Sequence, residues 1–321
     1  MSRMNFAIRF AAVALVIATA TGTATSALAQ AYPSKPIRFV TGFPAGSSID
    51  VVSRIVLDDI RARTGATIIV ENRPGALGAL GIENVQRSPA DGYTLMPSSS
   101  ATHSSGPSLS KALQNLEPVS KLTHIARMVR FDIAVVTATA GNYRNAGALV
   151  KEAKARPEAL TYGYGSGTGQ VGSAAFSNAA GIKVRAIPYK GQPAAVTDLL
   201  GGQVDFVSSD LGAILAFLKQ GSLTAVGVVS DRRRALLPDV PTAKEAGLSP
   251  VVLSGWIGID APAQLPASVV GWWKEQLHQT LSAPAVQEKL RGIGMEPGPM
   301  AGGPFATLVR EEQGGWDKEG K

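Results

Sequence analysis

Residues 37–63 have the sequence IRFVTGFPAGSSIDVVSRIVLDDIRAR, and this stretch decides the fold class. Residues 37–41 have the β-branched composition of a strand, residues 43–48 form a turn rich in Gly, Pro and Ser, and residues 51–63 carry apolar side chains at helical spacing. Ser47 and Asp50 have the spacing of a capping box at the start of that helix. A strand that passes through a short turn into a helix is the unit of an α/β fold, which we therefore predict.

The strand–helix alternation continues along the chain in two groups. Further strands are predicted at residues 67–70 and 93–96, and the pattern restarts at residues 133–137 and runs to a strand at residues 224–229. Two α/β lobes follow, each with a mostly parallel sheet flanked by helices. The predicted boundaries are residues 30–130 plus 254–321 for a discontinuous lobe 1, and residues 131–253 for lobe 2.

Residues 1–29 have the composition of a secretory signal peptide. Arg3 and Arg9 precede an apolar run without acidic residues, and the segment ends in Ala27-Leu28-Ala29. Cleavage after Ala29 would remove two arginines and lower the formal net charge from +7 to +5. The chain contains no cysteine, which excludes disulfides, thiolate metal sites and a lipid-bearing cysteine anchor. We therefore expect an exported protein without a lipid anchor.

The densest basic cluster of the sequence is Arg232-Arg233-Arg234. It has no interleaved aromatic residues and precedes Pro238 and Pro241. This context favours a solvated turn over a nucleic-acid interface, for which a basic stripe is typical. No nucleic-acid partner is expected.

Signatures of common enzymes are absent from the sequence. No serine has glycine both two residues before and two residues after it, and neither a His-Glu-x-x-His motif nor a Gly-x-x-x-x-Gly-Lys loop occurs. The sequence thus predicts no catalytic residues, no metal site and no cofactor. An exported hydrolase that uses Ser166 or Ser47 is the alternative from another functional class, although no pattern supplies the base that such a serine needs.

Residues 167–172 match the pattern Gly-x-Gly-x-x-Gly, directly after a strand predicted at residues 160–164. A dinucleotide site also needs an acidic residue near the end of the next strand, and that strand ends in Pro188-Tyr189-Lys190-Gly191. We therefore discount a dinucleotide. The turn still presents backbone N–H groups and the positive end of a helix dipole, which together attract an anion.

Residues 43–48 form a second turn of this kind in the other lobe, so we expect a ligand cleft between the lobes. A micromolar ligand needs about 8 kcal/mol of binding free energy. Each hydrogen bond to a charged group contributes roughly 1.5–3 kcal/mol, so four or five donors would hold a carboxylate without an arginine. The candidate donors are Ser47, Ser48, Ser166, Gly167 and Thr168.

Seven blocks of sequence occur in an order that is typical of one family. They are YPSKPIR at 32–38, FPAGSSID at 43–50, VENRPG at 70–75, ADGYTL at 90–95, PYKG at 188–191, DLLGGQVD at 198–205, and LPDVPT at 237–242 with EAGL at 245–248. In these blocks the chain resembles the periplasmic solute-binding receptors of tripartite tricarboxylate transporters, also called the Bug or TctC-like family. The resemblance covers nearly the whole chain after the signal peptide.

The resemblance implies a periplasmic-binding-protein-like two-lobe clamshell that closes on an organic anion. The two turns would bind one carboxylate, largely through main-chain donors, and Thr102, His103 and Asp210 would face the variable end of the ligand. A helix cap is an equally suitable role for Asp210. The family commonly has Thr where this chain has Ile49. The implied ligand-binding residues are Phe43, Ala45, Ser47, Ser48, Thr102, His103, Gly165, Ser166, Gly167, Thr168 and Asp210.

By the same resemblance, the chain is expected to be a monomeric, non-enzymatic receptor in the periplasm. It would capture a small organic carboxylate, such as a di- or tricarboxylate, and deliver it to a membrane permease. A receptor that signals ligand binding to a membrane kinase fits the same sequence, and this alternative stays open.

Overall fold

The structure, a computed structural model, describes residues 32–313, so the predicted signal peptide lies outside the described residues. Within this part of the chain no helix combines the length and the hydropathy that crossing a membrane requires. Strands and helices alternate along most of the chain. In order they are β1 (Ile37–Thr41), α1 (Ser48–Thr64), β2 (Ile68–Asn72), a 3₁₀ turn (Ala76–Gly78), α2 (Ala79–Gln86), β3 (Thr94–Ser99), α3 (Ser100–His103), α4 (Gly106–Leu109), α5 (Lys111–Leu116), β4 (Leu122–Ala138), α6 (Ala146–Ala155), β5 (Thr161–Tyr164), α7 (Gly167–Ala180), β6 (Arg185–Pro188), α8 (Gln192–Leu200), β7 (Phe206–Asp210), α9 (Leu211–Lys219), β8 (Leu223–Val228), β9 (Ser254–Pro262), α10 (Ala267–Ser282), α11 (Pro284–Gly292), β10 (Glu296–Ala301) and α12 (Gly303–Glu312).

The strands pair in the order β2-β1-β3-β9-β4-β7-β5-β6, and β8 and β10 also pair with β4. The outer strands are parallel: β1 pairs with β2 and β3, and β5 pairs with β6 and β7. The pairings of β9 with β3 and β4, and of β4 with β7, β8 and β10, are antiparallel. The expectation of mostly parallel sheets is therefore correct for the outer strands only, because two strands return through the centre in the opposite direction.

Strand β4 belongs to the sheets of both lobes. Its first part, from Leu122 to Asp132, pairs with β9, and its second part, from Ile133 to Ala138, pairs with β7 and β8. The predicted strand at residues 133–137 is thus only the second part of a 17-residue strand. This one continuous strand therefore connects the sheets of the two lobes.

Each lobe has its own apolar core. Val40, Ile82 and Met96 are buried together in lobe 1, and Val136 and Val207 lie in the buried cluster of lobe 2. Complete burial of one such side chain contributes roughly 1.5–3 kcal/mol. The carboxyl ends of the parallel strands are thereby held in fixed positions, and the turns that follow β1 and β5 start from a rigid base.

Candidate functional site

Asp50 organises the turn between β1 and α1. Its carboxylate is 2% exposed and accepts hydrogen bonds from the N–H of Gly46 at 3.0 Å, from Arg54 Nε at 2.9 Å and from Asn72 Nδ2 at 2.9 Å. Burial acts to raise the pKa of Asp50, but these three donors outweigh it and hold the pKa below its ordinary value. The charged carboxylate therefore fixes the turn from inside.

The capping box predicted for Ser47 and Asp50 is wrong. Ser47 occupies the N-cap position without a side-chain capping bond, and its Oγ donates to the carbonyl of Pro44 at 2.7 Å. Asp50 turns back to the N–H of Gly46, a residue with φ +79° in the left-handed region. The Gly-Ser pair makes a tight turn in which Asp50, rather than Ser47, accepts a hydrogen bond from a backbone N–H.

The second turn, between β5 and α7, is fixed by Gln192. The N–H of Gly165 donates to Gln192 Oε1 at 3.1 Å, and Gln192 Nε2 donates to the carbonyl of Ser208 at 2.9 Å. Ser166 is the N-cap of α7, since its Oγ accepts from the N–H of Gly169 at 3.1 Å. A Cβ at Gly165 would lie 2.0 Å from the backbone carbon of Gly191, so only glycine fits this position.

The pattern Gly-x-Gly-x-x-Gly at residues 167–172 is explained by close helix–sheet packing. A Cβ at Gly169 would lie 3.0 Å from the carbonyl oxygen of Ser208, and a Cβ at Gly172 would lie 2.9 Å from Ile133 Cγ2. These glycines let α7 approach β7 and β4. The physical reason for the motif is therefore packing, and no dinucleotide is needed to account for it.

Both turns line one pocket between the lobes, and its cavity has a volume of about 50 Å³. This volume holds only a few water molecules, so a molecule of several carbons needs more room than the cavity offers. Asp210 is the only ionisable residue among the lining residues. They are Phe43, Ser47, Ser48, Ile49, Ser99, Ala101, Phe131, Gly165, Ser166, Thr168, Gln192, Asp210 and Ile257.

Asp210 contacts both lobes. Its Oδ1 accepts from the N–H of Ala213 at 3.1 Å, which caps α9, and it also accepts a hydrogen bond from Ser48 Oγ in lobe 1. Burial raises the pKa of Asp210, and the hydrogen bonds from Ser48 and the backbone offset this only in part. The two roles that the sequence left open for Asp210, helix cap and cleft residue, are compatible.

Thr102 and His103 lie outside the pocket lining, in a buried polar network. His103 is 0% exposed, and its Nδ1 lies 2.8 Å from Thr102 Oγ1. Its Nε2 lies 2.9 Å from Asp260 Oδ2, but the angle between these two groups does not meet that of a hydrogen bond. The same Asp260 oxygen lies 2.8 Å from His124 Nδ1. The side chain of His103 is therefore directed to Asp260.

Asp260 is held as a carboxylate by its neighbours. Burial alone would raise its pKa, but the charges of His124 and His103 and the hydrogen bonds hold the pKa well below its ordinary value. Ser98 Oγ adds a hydrogen bond to Asp260 Oδ1 at 2.7 Å. The ligand-type atoms of His103, His124 and Asp260 lie within 4.8 Å of one another, as in a metal site. However, His124 directs both nitrogens to acceptors, Asp260 Oδ2 and the carbonyl of Val119, and so offers no lone pair to a cation.

The structure brings seven of the eleven predicted site residues together at the pocket. The other four lie elsewhere: Ala45 is exposed on the first turn, Gly167 is buried against the carbonyl of Ala101, and Thr102 and His103 are in the network around Asp260. The sequence analysis did not include the lining residues Ile49, Ser99, Ala101, Phe131, Gln192 and Ile257. Of these residues, only Gln192 could have been suspected from the sequence, because it directly follows the family-typical block at residues 188–191.

The serines proposed as nucleophiles have no base in this arrangement. Ser47 Oγ donates to Pro44, and Ser166 Oγ lies 3.2 Å from Thr168 Oγ1 and 3.5 Å from Gln192 Oε1. Within residues 32–313, no histidine is hydrogen-bonded to either serine. The pocket therefore has the donors of a binding site and lacks the Ser–His pair of a hydrolase.

Comparison with known proteins agrees with this geometry. Residues 52–318 match the family described as "Tripartite tricarboxylate transporter family receptor", TctC. The protein BugT of Bordetella pertussis is 32% identical over 92% of this chain and 90% of its own length. The structure of the periplasmic binding protein BugD superposes with a TM-score of 0.82 at 27% identity, over 89% of this chain and 97% of its own.

MatC from Rhodopseudomonas palustris with bound malate has the same fold, with a TM-score of 0.82 at 23% identity over 90% of this chain and 100% of its own. The predicted two-lobe, periplasmic-binding-protein-like α/β fold is thus confirmed. The family match covers far more than half of the chain and includes the second turn of the pocket and the whole of strand β4. The chain is thus similar to the Bug protein BugT and belongs to the TctC family of tripartite tricarboxylate transporter receptors.

Proposed function

We propose that this protein captures a small organic carboxylate in the cleft between its lobes and delivers it to the membrane permease of a tripartite tricarboxylate transporter. The carrying observation is that the N-termini of two helices, α1 in lobe 1 and α7 in lobe 2, line the same pocket. Each end presents N–H groups and a partial positive charge to an anion.

The donors of the two helix ends are available for a ligand. The first intrahelical bonds run from Val51 N to Ser47 O and from Gln170 N to Ser166 O. The N–H groups that follow each N-cap residue and precede these bonds, except that of Gly169, which donates to Ser166 Oγ, have no acceptor inside their helices. Among the lining residues no side chain carries a positive charge. A carboxylate would therefore be bound by backbone N–H groups and by the hydroxyls of Ser48, Ser166 and Thr168.

The di- or tricarboxylate class is supported by the family and by MatC, whose structure holds malate. A second carboxylate of such a ligand would lie near Asp210. Because burial raises the pKa of Asp210, its carboxyl is easier to protonate than an exposed one, and a protonated carboxyl donates a hydrogen bond to a carboxylate. The apolar side chains of Phe43, Ile49 and Ile257 would cover the carbon skeleton.

Other parts of the proposal follow from the same receptor role. The lobes would consist of residues 30–130 plus 254–321 and residues 131–253, in agreement with the exchange of partners along β4 at Asp132. Residues 1–29 would direct export to the periplasm, where the receptor acts as a monomer without a cofactor. Ala45, Thr102 and His103 would support the site from outside the pocket lining.

Thermal unfolding with a panel of mono-, di- and tricarboxylates tests the proposal. A ligand that binds only the folded state at a hundred times its dissociation constant stabilises it by about 2.7 kcal/mol, so at least one acid should raise the midpoint by several degrees. If no organic anion shifts the midpoint of the folded protein, carboxylate capture is refuted. Co-purification of membrane partners with the loaded receptor separates a permease from a kinase.

Thr168→Val is the matched variant for the pocket. Val has the shape of Thr without the hydroxyl, and Thr168 lines the cavity with its Oγ1 at 3.2 Å from Ser166 Oγ. Loss of one bond to a charged ligand should weaken binding by roughly tenfold or more. Thr197→Val on the exposed face of α8 should leave the affinity unchanged.

A further inference from the structure

A second, larger cavity lies next to the ligand pocket and is lined by arginines. Its volume is about 750 Å³, and Phe131 lines both cavities. Five arginines and two carboxylates, those of Asp132 and Glu296, line this cavity, which leaves a formal charge of +3. We name it the arginine groove. Its arginines are Arg130, Arg232, Arg233, Arg234 and Arg291.

Two of the five arginines form no ion pair or side-chain hydrogen bond among residues 32–313, although the charges of both act on Asp132 to lower its pKa. Arg234 is paired with Asp132 at 2.8 Å, Arg233 with Glu245 at 3.1 Å, and Arg291 with Glu296 at 3.3 Å. Arg130 and Arg232 are exposed, and no hydrogen bond or ion pair of their guanidinium groups occurs in the described part of the chain. They are the positive charges that the groove offers to a partner.

The groove also exposes an apolar side chain. Leu236, which follows the arginine triplet, is 44% exposed and lines the groove with the arginines. Single exposed leucines are common on protein surfaces, but a leucine that lines one groove with five arginines gives a surface that is both apolar and basic. Arginine combined with an apolar anchor is the composition enriched at the centre of protein–protein interfaces.

Both lobes build the groove. Arg130 and Arg291 belong to elements of lobe 1, β4 and α11, whereas Arg232 and Leu236 follow β8 of lobe 2. When the lobes separate, the distance between these two sets has to change. A partner that contacts both sides therefore binds the closed and the open receptor with different affinity.

We propose that the arginine groove binds an acidic peptide segment of a partner protein, one that carries glutamate or aspartate residues and at least one apolar side chain. The groove suits a peptide segment better than a single small anion, because its volume of about 750 Å³ exceeds that of a small anion and three of its five arginines are already paired with carboxylates. The proposal is independent of carboxylate capture, since none of the five arginines lines the ligand pocket.

The experiment measures binding of a short fluorescent peptide rich in glutamate and leucine by anisotropy, without added carboxylate. The wild-type protein should bind it with an affinity that falls as salt is added, and the counterpart with glutamine in place of glutamate should bind weakly. The double variant Arg130→Glu, Arg232→Glu should raise the dissociation constant at least about tenfold. Arg232→Lys keeps the charge and should change it by less than about threefold.

Arg144→Glu is the matched control, because Arg144 is exposed, lies outside the groove and forms no ion pair or side-chain hydrogen bond among residues 32–313. It should leave peptide binding unchanged, and all variants should keep the wild-type unfolding midpoint. Equal peptide affinity of the double variant and the wild-type protein would overturn the proposal. An arginine-dependent preference for an oligonucleotide of equal charge would also overturn it.

Discussion

Replacing His124 by Gln tests the buried network around Asp260. His124 Nδ1 lies 2.8 Å from Asp260 Oδ2, and His124 Nε2 lies 3.0 Å from the carbonyl oxygen of Val119. Both neighbours are acceptors, so a histidine that bonds to both donates twice and carries a positive charge. The side chain of Gln has an NH2 group that can donate hydrogen bonds, but it carries no charge. Removal of one partner of a buried ion pair costs about 3–5 kcal/mol, and because Ser98 and His103 remain beside Asp260, we expect about 3 kcal/mol.

The cost should depend on pH with a definite sign. Burial lowers the pKa of His124, but the charge of Asp260 and the hydrogen bonds to Asp260 and Val119 outweigh burial and raise the pKa above 6.5. A raised pKa means that folding favours the protonated ring. The stability it contributes is complete below about pH 6.5 and is lost as the pH rises through the pKa of the folded state. The pKa of Asp260 is lowered, so its own contribution is lost only in acid, below its ordinary value of 3.8.

Urea denaturation of wild-type and His124→Gln proteins at several pH values measures this difference. The difference in unfolding free energy should be largest near about pH 6 and should shrink towards about pH 9, because the wild-type protein loses the proton that the variant never binds. His278→Gln is the control, since His278 is exposed on α10, and its curve should follow the wild type. A difference between wild type and His124→Gln that stays constant from about pH 6 to about pH 9 would refute the charged pair.

Two further variants test the second turn of the pocket and the hydrogen bond between the lobes. Gly165→Ala places a Cβ 2.0 Å from the backbone carbon of Gly191 and should abolish the carboxylate-induced shift of the unfolding midpoint. The control is Gly271→Ala in helix α10, where a Cβ meets no atom within 4 Å, and it should stabilise the protein by about 0.5–1 kcal/mol. If both variants respond equally to ligand in these titrations, the close approach at Gly165 is contradicted. Ser48→Ala removes the hydrogen bond between the lobes to Asp210 and should cost the closed state roughly 1.5–3 kcal/mol, visible as a larger radius of gyration in small-angle scattering of the protein without ligand; an unchanged radius would show that this bond does not hold the lobes.

Local signals in the sequence were sufficient for most of the fold. The strand at residues 37–41 has the predicted bounds, and the strand predicted at residues 160–164 is observed at Thr161–Tyr164. Strand β10 was missed, because residues 296–301 contain two prolines, which argue against a strand in the interior of a sheet. In the described structure β10 pairs with β4 alone, at an edge where a missing N–H is tolerated. Composition could not reveal that the segment lies at an edge.

The first half of β4 was missed for a different reason. A half-buried strand is recognised by alternating polar and apolar residues, and buried His124 and exposed Arg130 break this pattern. His124 is buried because Asp260, far away in the sequence, supplies a carboxylate. Asp260 is also the neighbour of His103, a residue that the family resemblance placed at the ligand. Long-range pairing of polar groups decides both cases, and no local pattern encodes it.

Two aspartates at helix starts show what determines the chemistry of the cleft. The sequence presents Asp50 and Asp210 alike, as acidic residues that suit helix N-termini. Asp50 has Arg54, Asn72 and Gly46 as donors, so its pKa is lowered and its charge stays fixed inside lobe 1. Asp210 has no cation beside it, and burial raises its pKa. Opening of the lobes returns water to Asp210 and favours its charged form, whereas closure on an anionic ligand favours the protonated form. Protonation of this one side chain is therefore coupled to closure, and carboxylate affinity should fall as the pH rises through its pKa in the closed state.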